Sequence, residues 1–296
     1  MKKKIMAVLV AAGMVVSLAA CGGSSQTAES AAETVESAAE SVASAAETVE
    51  STAADAAEST ADAAASEDAE LVTVTEGKLT MSTNAAFPPY EMTTDSGDLE
   101  GIDIEVAGAI AKKLGLELQV DDMDFDAALL AAQQGKSDIV MAGVSVTEER
   151  QKVMEFSDSY ATGVQVIIVK EDSEIASVED LEGKMIGTQR GTTGNIYCTD
   201  DYGEDHITTY DNGLTAVQAL MNGQVDCVVI DQEPAKAFVA ANQGLKILET
   251  EYVSEDYAIG MAKGNTALQS AVNKALAELQ EDGTVQSIVD KYIAAK

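Results

Sequence analysis

Arg150 is the residue best placed to do chemistry in this chain. It closes the polar stretch Gly143, Ser145, Thr147, Arg150, which directly follows the apolar run Ile139, Val140, Met141, Ala142. Its guanidinium is a permanent cation with a planar fork of donors, matched to a carboxylate. The apolar run reads as a buried strand, and strand ends in open α/β sheets are where small ligands lodge. The implied chemistry is capture of a small carboxylate. Taken alone, a solvated arginine just past a strand is the plainer reading, and the rest of the chain tips the balance.

Catalysis finds few candidates. His206, the single histidine, lies in DDYGEDHITT, far along the chain from that stretch, and reads as a surface residue. No His/Cys/Asp group has metal-ligand spacing and no serine has a plausible His partner, so neither a metal nor another cofactor is expected. The GTTG at 191–194 lacks the lysine that follows in a phosphate-binding loop. Cys198 and Cys227 would be able to pair in an oxidising exterior, yet Cys227 in VDCVVI reads better as a small core residue.

The 296 residues allow one large domain or two smaller ones. With 18 basic and 51 acidic residues the formal charge is -33, the wrong sign for nucleic acid and repelled by an anionic membrane surface. The absence of tryptophan and 4% aromatic content argue against stacking platforms for sugars or bases.

Lys2, Lys3 and Lys4 precede an apolar segment at 5–18 that ends in small residues before Cys21, the pattern of an export signal over 1–20. Leu18, Ala19, Ala20 and Cys21 resemble the lipobox of bacterial lipoproteins, which implies lipidation of Cys21 and an extracytoplasmic protein anchored to the membrane. Residues 21–70 are almost wholly Ala, Ser, Thr, Glu, Asp and Val, and cannot bury a core. Val35, Val42 and Val49 repeat every seven residues, so a weak self-associating helix is one reading. A solvated, partly helical tether is the better one, because alanine seams bury little area and the acids repel.

The elements that must position Arg150 begin near Leu71. Strands are predicted at 79–83, 116–120, 137–142, 184–188 and 225–230; helices at 103–114, 126–134, 193–200, 214–222, 266–281 and 285–293. This alternation argues for α/β architecture. EGKLTMSTNA at 76–85 is echoed by EGKMIGTQRG at 182–191, and LLAAQQGKSDIVMAG by AVQALMNGQVDCVVID, which predicts two similar lobes.

With these residues laid out, the chain from Leu71 onward resembles the bacterial extracellular solute-binding proteins of family 3, the substrate-binding lipoproteins of polar amino-acid ABC transporters. The resemblance is carried by TNAAFPPYE, GIDIEVAGAIAKKLG, MDFDAALLAAQQGKSDIVMAGVSVTEER, FSDSY, LEGKMIGTQRGTTG, VDCVVIDQEPA and EDGTVQSIVDKY, in the family's order. It implies a two-lobed periplasmic-binding-protein-like (type II) α/β fold with two crossing hinge strands, near 161–165 and 257–260. One lobe would comprise 71–162 and 257–296, the other 163–256.

The same resemblance implies site roles. Arg150 would take the α-carboxylate of an amino acid, helped by Ser145, by backbone donors around Gly143, and by Thr192 and Thr193 at a helix N-terminus. Asp231 would take the α-ammonium, Phe87 and Phe125 would sandwich the side chain, and Gln189 would add a neutral polar contact. Asn84 replaces an aspartate common where the ligand is cationic or an amide, which points to a neutral polar or sulfur-containing amino acid. Because a buried guanidinium is costly without its carboxylate, the empty cleft should be open and wet. The implied protein is a monomeric binder that delivers its ligand to a membrane permease, not an enzyme. The alternatives are a secreted enzyme of the cyclohexadienyl dehydratase type on the same fold, or a ligand-sensing module.

Overall fold

A computed structural model describes residues 71–249 and 251–293. The predicted signal segment, the lipidated Cys21 and the 21–70 tether lie outside the described residues.

Lys78–Thr83 forms β1, with Leu79 and Met81 fully buried. It is parallel to β5 (Glu117–Asp122) on one side and to β6 (Ile139–Val140) on the other. The connections are the helices α1 (Ile102–Lys113) and α2 (Phe125–Gln133). The buried face of α1 recurs at helical spacing through Val106, Ala107, Ile110 and Ala111, and acids in its first turn and lysines in its last oppose the helix dipole. The first strand of this unit is therefore its middle one. The same arrangement recurs downstream, where β8 (Ile186–Gln189) lies between β9 (Ile207–Tyr210) and β10 (Cys227–Asp231), connected through α4 (Thr193–Tyr202) and α5 (Gly213–Met221). α3 (Glu148–Val153) follows β6, and α6 (Gln232–Ala241) follows β10. The echoed sequences fall on equivalent elements: β1 matches β8, and α2 with β6 matches α5 with β10.

Two long antiparallel strands join the units into one sheet of order β5-β1-β6-β12-β7-β10-β8-β9. β7 runs over Met154–Lys170 and β12 over Val253–Ala262, with Tyr257 opposite Ala161. Seventeen residues of strand span about 56 Å, long enough to serve both units. The fold is thus the two-lobed type II architecture with two crossing strands. A short strand β11 (Leu245–Ile247) pairs with β7, and β2 (Ala86–Phe87), β3 (Glu91–Thr93) and β4 (Leu99–Glu100) form a small separate sheet. The helices α7 (Thr266–Glu281) and α8 (Thr284–Tyr292) complete the chain.

Some expectations change. The predicted strand at 137–142 shrinks to Ile139–Val140, because Ser137 and Asp138 turn to bond β1 and Gly143 adopts a positive φ of 55°. The polar stretch at Arg150 is a helix, α3, capped by the Thr147 hydroxyl accepting from the Arg150 amide at 3.2 Å. β7 was not evident beyond its crossing segment, because Ser157, Asp158, Ser159 and Gly163 interrupt its apolar pattern.

Candidate functional site

The carboxyl ends of the two central strands and their inner neighbours converge on one narrow cleft. Asn84 and Phe87 follow β1, Phe125 follows β5, and Gly143, Ser145 and Arg150 follow β6. From the second unit come Gln189 at the end of β8, Thr192 and Thr193 at the start of α4, and Asp231 at the end of β10. These are the ten residues singled out from sequence, and all line the same cleft. The placement is physical: strand order reverses beside β1 and β8, so the loops diverge and leave a crevice there.

At one pole, Arg150 is only 8% exposed. Its Nη1 donates to the Ser145 carbonyl at 2.8 Å and its Nη2 to the Gly191 carbonyl at 3.1 Å, across the cleft. The Phe125 ring lies 5.5 Å from the guanidinium carbon. Among the described residues no carboxylate forms an ion pair with Arg150. Burial lowers its proton affinity, opposed chiefly by the field of Glu255, and the guanidinium stays charged. Glu255, on β12, gathers the nearby hydroxyls: Ser145 Oγ at 3.2 Å, Thr193 Oγ1 at 2.5 Å and Tyr197 Oη at 2.8 Å.

Two expected donors are already engaged. The Gly143 amide donates to Asp103 at 3.0 Å, and the Thr192 hydroxyl donates to the Gln189 carbonyl while capping α4 through the Asn195 amide. Gly143 is required here, since a Cβ would lie 2.8 Å from the Phe87 ring. The cleft is closed rather than open: besides Arg150 to Gly191, Gln189 Nε2 donates to Asn84 Oδ1 at 2.9 Å. Backbone carbonyls from both sides satisfy the guanidinium, which is why burial is tolerated.

At the other pole three acids are buried. Asp231 accepts from Tyr257 Oη and, at 2.7 Å, from Gln165 Nε2, and burial pushes it up to about 7 despite these bonds. Asp103 accepts from the Gly143 amide and from Tyr160 Oη at 2.8 Å, and burial raises it to about 6. Glu91 is fully buried, lines the cleft and adjoins Asp103, and as a carboxylate it accepts no hydrogen bond from the described residues. Desolvation and the adjacent Asp103 hold Glu91 well above the usual carboxylate range. Gly101 permits this placement, because a Cβ there would strike the Tyr90 carbonyl at 2.2 Å.

Sequence reasoning missed Glu91, although it stands in the TNAAFPPYE block, and missed Gln165, Glu255 and Tyr257 on the crossing strands. A glutamate directly after an apolar stretch was the available signal for Glu91; no local pattern marks the others. Cys198 and Cys227 are both buried and free, their thiols pushed up to about 12 by burial. His206 is half-buried, outside the cleft. Among the described residues no group of three His, Cys, Asp or Glu is arranged to hold a metal, and no helix is long and apolar enough to cross a membrane.

Residues 79–295 match the family described as bacterial extracellular solute-binding proteins, family 3. The chain is 30% identical over 222 residues to the L-cystine-binding protein TcyJ of Escherichia coli K12, covering 74% of this chain and 84% of that protein. It is 32% identical over 224 residues to the arginine-binding extracellular protein ArtP of Bacillus subtilis, covering 74% and 87%. Among solved structures, an ancestral arginine-binding protein bound to glutamine superposes with a TM-score of 0.71 at 41% identity, covering 75% of this chain and 100% of that one. An ancestral arginine-binding protein bound to arginine gives 0.70 at 42%, covering 74% and 99%.

Proposed function

The chain belongs to family 3 of the bacterial extracellular solute-binding proteins, and on that premise we propose that it captures one amino acid between its lobes and delivers it to an ABC transporter permease. One observation carries this reading: a single cleft holds a buried guanidinium without an acid and a buried carboxylate without a base, Arg150 and Asp231. A zwitterion supplies both missing partners. Arg150 takes the α-carboxylate, with the Ser145 and Thr193 hydroxyls turning to it from Glu255 and the amides around Gly143 and Thr192 close by. Asp231 takes the α-ammonium, and Phe87 and Phe125 flank the side chain.

We favour a side chain that ends in N–H donors, an amide or a guanidinium; Asn84 pointed instead to the neutral polar or sulfur-containing amino acids. The Asn84 amide is already spent on the Met123 carbonyl at 2.8 Å and on Gln189, so it closes the cleft and does not read the ligand. Glu91 is a lining acid that accepts no hydrogen bond from the described residues, and an arriving N–H donor would favour its carboxylate form. Relatives named for binding arginine and glutamine agree with that chemistry, and the relative named for L-cystine agrees with a sulfur-containing side chain. We take the lobes as 71–162 with 257–296, and 163–256, in a monomer held at the outer face of the membrane by lipid on Cys21 and lifted by the 21–70 tether.

A thermal-shift screen over the amino acids, with product analysis of each mixture, tests the reading. Arginine or glutamine should raise Tm without being consumed; at about a hundred times Kd the gain is about 2.7 kcal/mol. Conversion of a ligand, or no shift with any amino acid, would sink it.

A further inference from the structure

Tyr257 belongs to neither unit's strand ends, yet it meets elements of both units behind the acidic pole. It sits on β12 at the crossing, fully buried, opposite Ala161 of β7. Gly163 of β7 leaves room for its ring: a Cβ there would lie 2.4 Å from the ring carbons and the hydroxyl. A Cβ on Gly143 would lie 3.4 Å from the same ring, and Tyr90 packs edge-on against it at 5.2 Å between centroids. The hydroxyl donates to Asp231 Oδ1. One rigid side chain on the hinge thus meets the turn after β6, the opposing crossing strand, and the acid after β10.

We propose that Tyr257 is a positioning residue for ligand capture, acting through Asp231: its hydroxyl donates to that carboxylate and aims it towards the cleft when the lobes are closed. This rests on the ammonium role assigned to Asp231. The chemistry requires such help. An ammonium gains from Asp231 only while the acid is charged, and the groups around it disfavour charge. Glu255 on β12 and Glu91 on β3 are both acids whose fields reach it, and Glu233 lies one residue into α6. Arg150 on α3 is a cation coupled to Asp231, and Tyr90 presents no positive charge. Against desolvation stand the donors of Tyr257 and Gln165, which favour the ionised form. Because the tyrosine rides on the crossing strand, rotation of the lobes would withdraw its hydroxyl from Asp231. The acceptor would then be aimed by the tyrosine only in the closed geometry, where desolvation makes that bond matter most, which couples ligand charge to closure.

The test is the affinity of the full chain for its best amino acid from pH 5 to 9, in the wild type, Tyr257→Phe, Gln165→Met and Asp231→Asn. Tyr257→Phe keeps the ring in the Gly163 notch and removes one hydrogen bond to a charged group, so affinity should fall about tenfold to a hundredfold at pH 7. The loss should shrink towards pH 9, and the midpoint of the acid limb should move to higher pH. Gln165→Met should shift the midpoint in the same direction by less, and keeps the question answerable if Tyr257→Phe folds poorly. Asp231→Asn should bind weakly with a flat profile. An unmoved midpoint in both Tyr257→Phe and Gln165→Met, with or without a uniform loss of affinity, would overturn the positioning role while leaving the amino-acid reading intact. Undiminished, still pH-dependent binding by Asp231→Asn would instead overturn the ammonium assignment and this inference with it.

Discussion

The two poles of the cleft solve the burial of charge in opposite ways. Arg150 is buried without an acid, but two backbone carbonyls take its donors, and a guanidinium has no accessible neutral form. Glu91 as a buried carboxylate accepts no hydrogen bond from the described residues, and Asp231 and Asp103 have donors that only partly offset desolvation. A carboxylate has a neutral form, so it escapes the cost by taking a proton. The cationic pole is therefore a fixed anchor, whereas the acidic pole is adjustable, set by pH and by the ligand.

Removing the anchor gives the largest expected effect. Arg150→Ala should weaken amino-acid binding more than about a hundredfold, a cost of about 3 kcal/mol or more, with the fold retained. Calorimetric titration with arginine and glutamine checks this, and near-native affinity would break the distinction between the poles.

Next comes pH. Above Asp231's value of about 7 the acceptor is ionised and affinity should be flat; below it, binding must expel a proton, so affinity should drop about tenfold per pH unit. A profile flat down to pH 5 would show that the acidic pole is as fixed as the other.

The smallest effect is expected at Glu91→Gln. Glu91's proton affinity is higher folded than unfolded, so its contribution to stability is full below the ordinary carboxylate range and is lost as pH rises through the raised value. The neutral isostere should thus raise the ligand-free Tm by about 3 °C at pH 8 and by little at pH 5. It should also cost arginine several-fold more affinity than glutamine. Equal losses for the two ligands would remove Glu91 as the group that reads the side chain.

Strand-end residues and crossing-strand residues differ in how legible they were. Arg150, Asp231, Gln189, Thr192 and Thr193 follow apolar runs with polar stretches, and that transition marks a strand's carboxyl end in any α/β chain. The internal echo paired the units correctly for the same reason. Of β7 only the crossing segment was legible, because Ser157, Asp158 and Ser159 break the alternation before it, and the roles of Glu255 and Tyr257 on β12 depend on partners far along the chain.

By itself the sequence determined the family, the two repeated α/β units and the strand ends that would face the cleft, because hydrophobic pattern and family motifs are local. Only the tertiary structure decided which polar groups are already spent and which remain unpaired. Ser145 meets Glu255 across 110 residues, Gln165 meets Asp231 across 66, and Tyr257 meets Asp231 across 26. Such pairs arise where two crossing strands bring distant segments within 3 Å or so of each other, and the charge state of a buried acid follows from that company, not from its neighbours along the chain.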